Sequence, residues 1–170
     1  IPLLERAVAL YEAAPGTPHV TLTYALSQLG LAYTNTGASA EAIPVLERAV
    51  ALYDATPGTA GGTSFVPALL YQMSLAYTST GASAEALPVL ERAVALYDAA
   101  PGTPDGDLAY ALYQLGWTSN TTGARAEAIP LLERAVALYE AAPGTPDGNL
   151  AHTLSQLGLA YTTTGASTEA

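Results

Sequence analysis

The stretch GASAEAIPVLERAVALYDATPGT at residues 37–59 returns as GASAEALPVLERAVALYDAAPGT at 81–103 and as GARAEAIPLLERAVALYEAAPGT at 123–145. Its back half, IPLLERAVALYEAAPGT, occupies 1–17, and its front half, GASTEA, occupies 165–170. Arg6, Arg48, Arg92 and Arg134 mark the period, at steps of 42, 44 and 42. A period of this size means that each unit is one small supersecondary element. Such a unit cannot bury its apolar face alone, so neighbours stack into a shared core. The chain reads as one array of four repeat lengths: a partial 1–36, then 37–80, 81–122, 123–164 and a partial 165–170. GASTEA followed by IPLLERAV nearly reproduces GASAEAIPVLERAV, so a segment of a longer or polymeric array is expected.

The spacing inside a unit is helical. On a wheel of Ala40–Ala55, Ala42, Ile43, Val45, Leu46, Ala49, Val50, Leu52 and Tyr53 fill one broad arc. Glu41, Pro44, Glu47, Arg48, Ala51 and Asp54 fill the other. An apolar face of about half the circumference must touch neighbours on two sides. Gly37 stops the preceding helix and Ser39 is the expected N-cap. Pro44, repeated as Pro2, Pro88 and Pro130, is expected early in the helix, where a missing N–H costs least. A PGT turn closes the helix and a second one follows, with Asp105 and Asp147 expected as its caps. The repeat at 59–67 carries two extra residues. This predicts a looser loop at Ala60–Gly62 and a later helix start, with Pro67 inside it. Eight helices are expected, near 1–14, 20–35, 40–56, 65–79, 84–99, 106–121, 126–141 and 148–163, and no strand. Ala49, Ala93 and Ala135 are expected at the closest approaches between helices.

Charge narrows the partners. The net charge is -10, there is no Lys, and the five basic residues are all Arg, scattered along the chain. Nucleic acid is therefore an unsuitable partner. So is an anionic membrane surface. No apolar run approaches the roughly 20 residues that a membrane-spanning helix needs. The absence of Cys rules out disulfides and thiolate metal sites.

The line Leu26-x-x-Leu29-Gly30-x-x-Tyr33-x-x-x-Gly37-x-x-x-x-Ala42-x-x-x-Leu46-x-x-Ala49 resembles the signature of the tetratricopeptide repeat. It recurs at Leu70, Met73, Ser74, Tyr77, Gly81, Ala86, Leu90 and Ala93, and at Leu112, Leu115, Gly116, Ser119, Gly123, Ala128, Leu132 and Ala135. A last copy runs Leu154, Leu157, Gly158, Tyr161, Gly165 and Ala170. The 42-residue period, the helix Pro and the LYDAAPGTPD tail are similar to the kinesin-light-chain-like subclass rather than the 34-residue form. The resemblance implies an all-α fold, an α-solenoid of antiparallel helix pairs forming a right-handed superhelix. Its concave face would be lined by the first helix of each pair and would bind peptides or proteins. Ser74 and Ser119 depart from the pattern and put local packing there in question.

Helical spacing together with the resemblance places Tyr24, Ser27 and Gln28 on the concave face, then Tyr71 and Gln72. Tyr110, Tyr113, Gln114, Trp117 and Asn120 follow, and Gln156 continues the series. Without Lys, the carboxylate clamp of some family members cannot be built. The Gln28, Gln72, Gln114, Gln156 ladder suits backbone amides or sugars, against the plainer reading that each Gln bridges to the next repeat. Asn120-Thr121-Thr122 matches the acceptor pattern for a glycan on Asn120 in an exported protein.

No catalytic constellation appears. His19 and His152 lie far apart without paired-His spacing, and Glu47, Glu91 and Glu133 recur singly as a solvated face. A non-enzymatic protein without a cofactor is expected. Its first functional reading is a structural solenoid continuing head-to-tail into a homopolymeric filament, extracellular or at the cell surface. Ile1, Leu4, Val8 and Tyr11 of one copy would meet Leu154, Leu157 and Tyr161 of another. The alternative is a cytoplasmic adaptor that holds a peptide or protein in its concave groove.

Overall fold

The computed structural model describes residues 1–56, 65–100, 104–142 and 147–164. Eight α-helices follow in order: α1 (Pro2–Ala13), α2 (His19–Asn35), α3 (Ser39–Ala55), α4 (Phe65–Ser79), α5 (Ser83–Ala99), α6 (Asp105–Thr122), α7 (Arg125–Ala141) and α8 (Asp147–Thr164). No strand occurs among the described residues. The chain is an all-α helical repeat protein of the solenoid type. Its contacts divide it into two compact units, 1–89 and 90–170, each with its own core.

In the first unit α1 packs on α2, α2 on α3 and α4, and α3 on α4. The broad arc read from the wheel is the face that α3 buries. Ala42, Leu46 and Ala49 are fully covered, while Glu41, Pro44, Glu47, Arg48, Ala51 and Asp54 are exposed. In the second unit α6 packs on α7 and α8, and α7 on α8, around Leu112, Ala128, Leu132 and Ala135. Ala93, on the part of α5 in this unit, is likewise fully buried.

Two glycines set how closely paired helices come. A Cβ on Gly30 would lie 2.4 Å from Leu46 Cδ2, and one on Gly116 would lie 2.6 Å from Leu132 Cγ. Each glycine is the notch into which the facing leucine fits. The turn out of α2 uses a different property of glycine. Gly37 has φ +80, Ala38 N donates to Tyr33 O at 2.9 Å, and Gly37 N donates to Thr34 O at 3.1 Å. This pair of bonds is a Schellman closure, which needs a left-handed residue that carries no Cβ penalty. Gly81 repeats it with Tyr77 and Thr78.

Several local expectations are corrected. Ser39 is not a cap: α3 is capped by Ala38 with no side-chain bond, and Ser39 is already its first, buried residue. The chain passes from the Schellman turn directly into the helix, leaving no extended residue in between. Asp105 is the first residue of α6, whose N-cap is Pro104, and Asp147 is the first residue of α8. Pro44, Pro88 and Pro130 lie within α3, α5 and α7, past the first turn. They sit on the exposed side, as do Ala40, Ala84 and Ala126 four residues earlier, so the carbonyl deprived of its N–H partner faces water. The late start of the helix after the long repeat is present: α4 begins at Phe65, with Pro67 buried in its first turn. The loop expected at Ala60–Gly62 lies outside the described residues.

Candidate functional site

The helices alternate along the chain in two sets, named here for their order in each repeat and not for their place in the molecule: α1, α3, α5 and α7 are the outer helices, and α2, α4, α6 and α8 the inner ones. The outer helices α3 and α5 differ at one of 17 positions, Ile43 against Leu87. The inner helices α2, α4, α6 and α8 share the leucine at Leu26, Leu70, Leu112 and Leu154 but differ over most of their exposed sides. Tyr24, Ala68, Tyr110 and His152 occupy one equivalent position, and Ser27, Tyr71, Tyr113 and Ser155 the next. Leu31, Leu75, Trp117 and Leu159 occupy a third.

In the first unit Tyr24 is 57% exposed, and its ring meets Phe65 with centroids 6.3 Å apart. With Val20 and Thr21 the two rings line a groove of about 400 Å³. Phe65 is not among the residues that the sequence pattern nominates, although its being the chain's one Phe is a signal. Tyr71, Gln28 and Gln72 are half-buried. Gln72 Oε1 is buried without a hydrogen-bond partner. Ser27, expected on this face, is instead buried, with its hydroxyl donating to Tyr24 O at 2.7 Å.

In the second unit the outward arc of α6 carries Asp107, Tyr110, Tyr113, Gln114 and Trp117, while Leu108, Leu112 and Leu115 face the core. Tyr110 and Tyr113 stand with ring centroids 6.2 Å apart. Tyr139 of α7 is 3% exposed, and its hydroxyl is buried without a hydrogen-bond partner among the described residues. Burial pushes this phenol up to about 12, and the nearby phenols of Tyr110 and Tyr113 add to the effect. Tyr113 is also raised, chiefly by burial. Tyr97 of α5 is raised by burial and by the carboxylate of Asp107.

Asn120 is 4% exposed, and its Nδ2 donates to Gln156 O at 3.0 Å and to Gln156 Oε1 at 3.3 Å. The nitrogen that would carry a glycan is thus turned into the α6–α8 contact. The same bond supports the plainer reading of Gln156, a bridge to the neighbouring repeat.

The single carboxylates of the repeats are also engaged. Tyr33 Oη donates to Glu5 at 2.5 Å, Tyr77 Oη to Glu47 at 2.5 Å, and Tyr161 Oη to Glu133. Those hydrogen bonds raise all three phenols, Tyr77 to about 12. At the third equivalent position stands Ser119, whose hydroxyl donates instead to Leu115 O. Among the residues expected at an end-to-end contact, Ile1 and Tyr11 are exposed and Leu4 is half-buried, but Val8 is already buried. Leu154 is 47% exposed, whereas its counterparts Leu26, Leu70 and Leu112 are buried.

Profiles of the tetratricopeptide repeat match residues 65–141 and 25–58. The chain belongs to the tetratricopeptide repeat family. Among solved structures, BtubC (BKLC) from P. vanneervenii superposes with a TM-score of 0.82 at 19% identity, over 96% of this chain and 65% of that one. The chain thus spans less than two thirds of that neighbour's length. A Podosopora anserina putative kinesin light chain with nearly identical TPR-like repeats gives 0.76 at 24% identity, over 97% and 77%. MamA gives 0.66 at 23%, over 95% and 74%. These likenesses show the fold, and the repeats are of the kinesin-light-chain-like type. No curated protein matches the chain.

Proposed function

We propose that this tetratricopeptide protein is a non-enzymatic scaffold that holds peptide or protein segments on the exposed side of its inner helices. One observation carries the reading: the repeats are nearly uniform on their outer helices and diverge where α2, α4, α6 and α8 are exposed. Divergence among stacked copies of one unit belongs where each copy meets something other than its neighbour. The diverging residues are aromatic and polar (Tyr24, Phe65, Tyr71, Tyr110, Tyr113, Trp117), side chains that supply large contact area with few torsions to freeze. An immobilised peptide library probed with the whole chain tests this. Bound peptides should be lost on Tyr24→Ala, with the melting curve unchanged, since that side chain is 57% exposed. Loss only on changes to Ala51, Ala95 or Ala137 of the outer helices would overturn it.

Continuation into a filament is the second reading, favoured by the apolar side chains exposed on α1 and α8, Leu3 and Leu10 at one side and Leu154 and Leu159 at the other. Further repeats, in the same chain or another copy, would cover them. A contact between copies would be head-to-tail and would not close on itself. Electron microscopy across a concentration series separates the readings, since long rods favour the polymer and discrete particles the scaffold.

A further inference from the structure

The exposed side of α6 departs furthest from its counterparts, and it does so in one chemical direction. Asp107 stands where the other inner helices have Thr21, Phe65 and Asn149. Tyr113 stands where two of them have Ser27 and Ser155, and Trp117 where all three have leucine. With Tyr110, these four lie along one arc of a single helix, at spacings of three, three and four residues, so each adjoins the next. The Tyr110 and Tyr113 rings stand together, with centroids 6.2 Å apart.

We infer that this platform, Asp107–Tyr110–Tyr113–Trp117, takes an arginine side chain from a basic segment of a partner protein. The inference rests on the peptide-binding reading above. Each part of the platform answers a property of guanidinium. Its flat face stacks on Tyr and Trp rings, which attract cations through their quadrupoles. Its N–H groups only donate, and Asp107, exposed at one end of the arc, offers a carboxylate that accepts. The field favours it too, since the chain carries a net charge of -10 and no Lys. An ammonium would find the charge but could not stack and donate at once, and a neutral sugar would leave the Asp107 carboxylate without a counter-charge.

Trp117 is the chain's one tryptophan, so its emission reads occupancy of the platform directly. The intact chain is titrated with a capped glycine–serine peptide bearing one central arginine, and with the same peptide bearing citrulline, the neutral isostere, or lysine. Arginine should bind about tenfold more tightly than citrulline, from the stacked cation and its charge-assisted bond, with lysine in between. Asp107→Asn and Tyr113→Ser copy residues that other repeats carry, which keeps them compatible with the fold, and thermal melts verify it. Each should reduce arginine affinity several-fold, and Asp107→Asn should also flatten its salt dependence. Equal affinity for arginine and citrulline overturns the inference. So does a Trp117 response to cellohexaose but not to the arginine peptide. If library peptides still bind the inner helices in those cases, the scaffold reading survives. If no peptide binds at all, both fall.

Discussion

The outer helices and the inner helices of this protein are built from the same repeat but obey different rules. Along α3, α5 and α7 nearly every residue recurs, because each meets the same neighbours in each copy. Along α2, α4, α6 and α8 one leucine (Leu26, Leu70, Leu112, Leu154) and one glutamine (Gln28, Gln72, Gln114, Gln156) recur, while most other positions on the exposed side differ. The difference teaches that packing fixes the outer set and one side of the inner set, while the remaining arc is free to specialise. A change at a recurring position should therefore alter stability, and a change on the free arc should alter binding alone.

The largest effect should come from Leu46→Ala. Leu46 is fully buried and fills the notch left by Gly30, so its loss removes packing and leaves a cavity. Urea unfolding should show a loss of about 2–5 kcal/mol. A change under about 1 kcal/mol would mean that the outer helix is not what organises the unit.

Glycine substitutions sharpen the contrast by their sign. Gly30→Ala places a methyl 2.4 Å from Leu46 and should destabilise by about 1–3 kcal/mol. Gly158, its counterpart on α8, has nothing within 4 Å of an added Cβ. There the same substitution should stabilise by about 0.5–1 kcal/mol through helix propensity. Gly30→Ala combined with Leu46→Ala should lose its penalty, since the clash is gone. Two melts of the same sign would refute the notch argument.

The period and the apolar arc are enough to read the helices, the all-α class and the burial of Ala49, Ala93 and Ala135 from the sequence. Helical spacing tells which side of its own helix a residue occupies, but not what covers that side. Hence spacing puts Ser27 and Asn120 on an open face, although the packing of neighbouring helices buries them. The Tyr–Glu bonds escape a sequence reading for a related reason. Their partners lie 28 and 30 residues apart in sequence, and single carboxylates in a repeat look solvated until the packing is known. Tyr139 falls on the apolar arc of its helix, but its burial without a partner among the described residues is not legible, because its counterpart Tyr53 on the same arc is only half-buried.

Tyr139→Phe tests that last point at moderate size. Removing a buried hydroxyl that bonds to nothing should leave stability unchanged or raise it by about 1 kcal/mol at neutral pH. The pH dependence has a definite sign. The folded-state pKa, about 12, is above the ordinary tyrosine value of 10. Below pH 10 both states are protonated and nothing is lost, whereas between about 10 and 12 the unfolded state ionises first and stability falls. Tyr139→Phe should make that fall shallower by up to one proton, as read by unfolding at successive pH values. Spectrophotometric titration should show Tyr77 and Tyr139 among the late-ionising phenols.

The smallest effect belongs to the surface of the outer helices, and it asks whether their uniformity serves stacking or a ligand. Arg134 of α7 donates to Asp98 of α5, with Nη1 to Oδ2 at 2.9 Å, and Arg48 of α3 makes the corresponding pair with Glu12 of α1. Each pair joins successive outer helices 36 residues apart in sequence, so a recurring Arg and a recurring acid are both accounted for by stacking. The side chains are more than a third exposed, and water screens the attraction. Arg134→Gln should therefore cost only about 0.2–1 kcal/mol, less at high salt. The Arg134 hydrogen bond holds the Asp98 carboxyl below its ordinary range. The contribution is thus present above the usual aspartate pKa and disappears as pH falls through the lowered one. The same variant should leave arginine-peptide binding at Trp117 untouched. A loss of binding without a loss of stability would show that the outer helices carry recognition as well, and the division between the two sets would have to be redrawn.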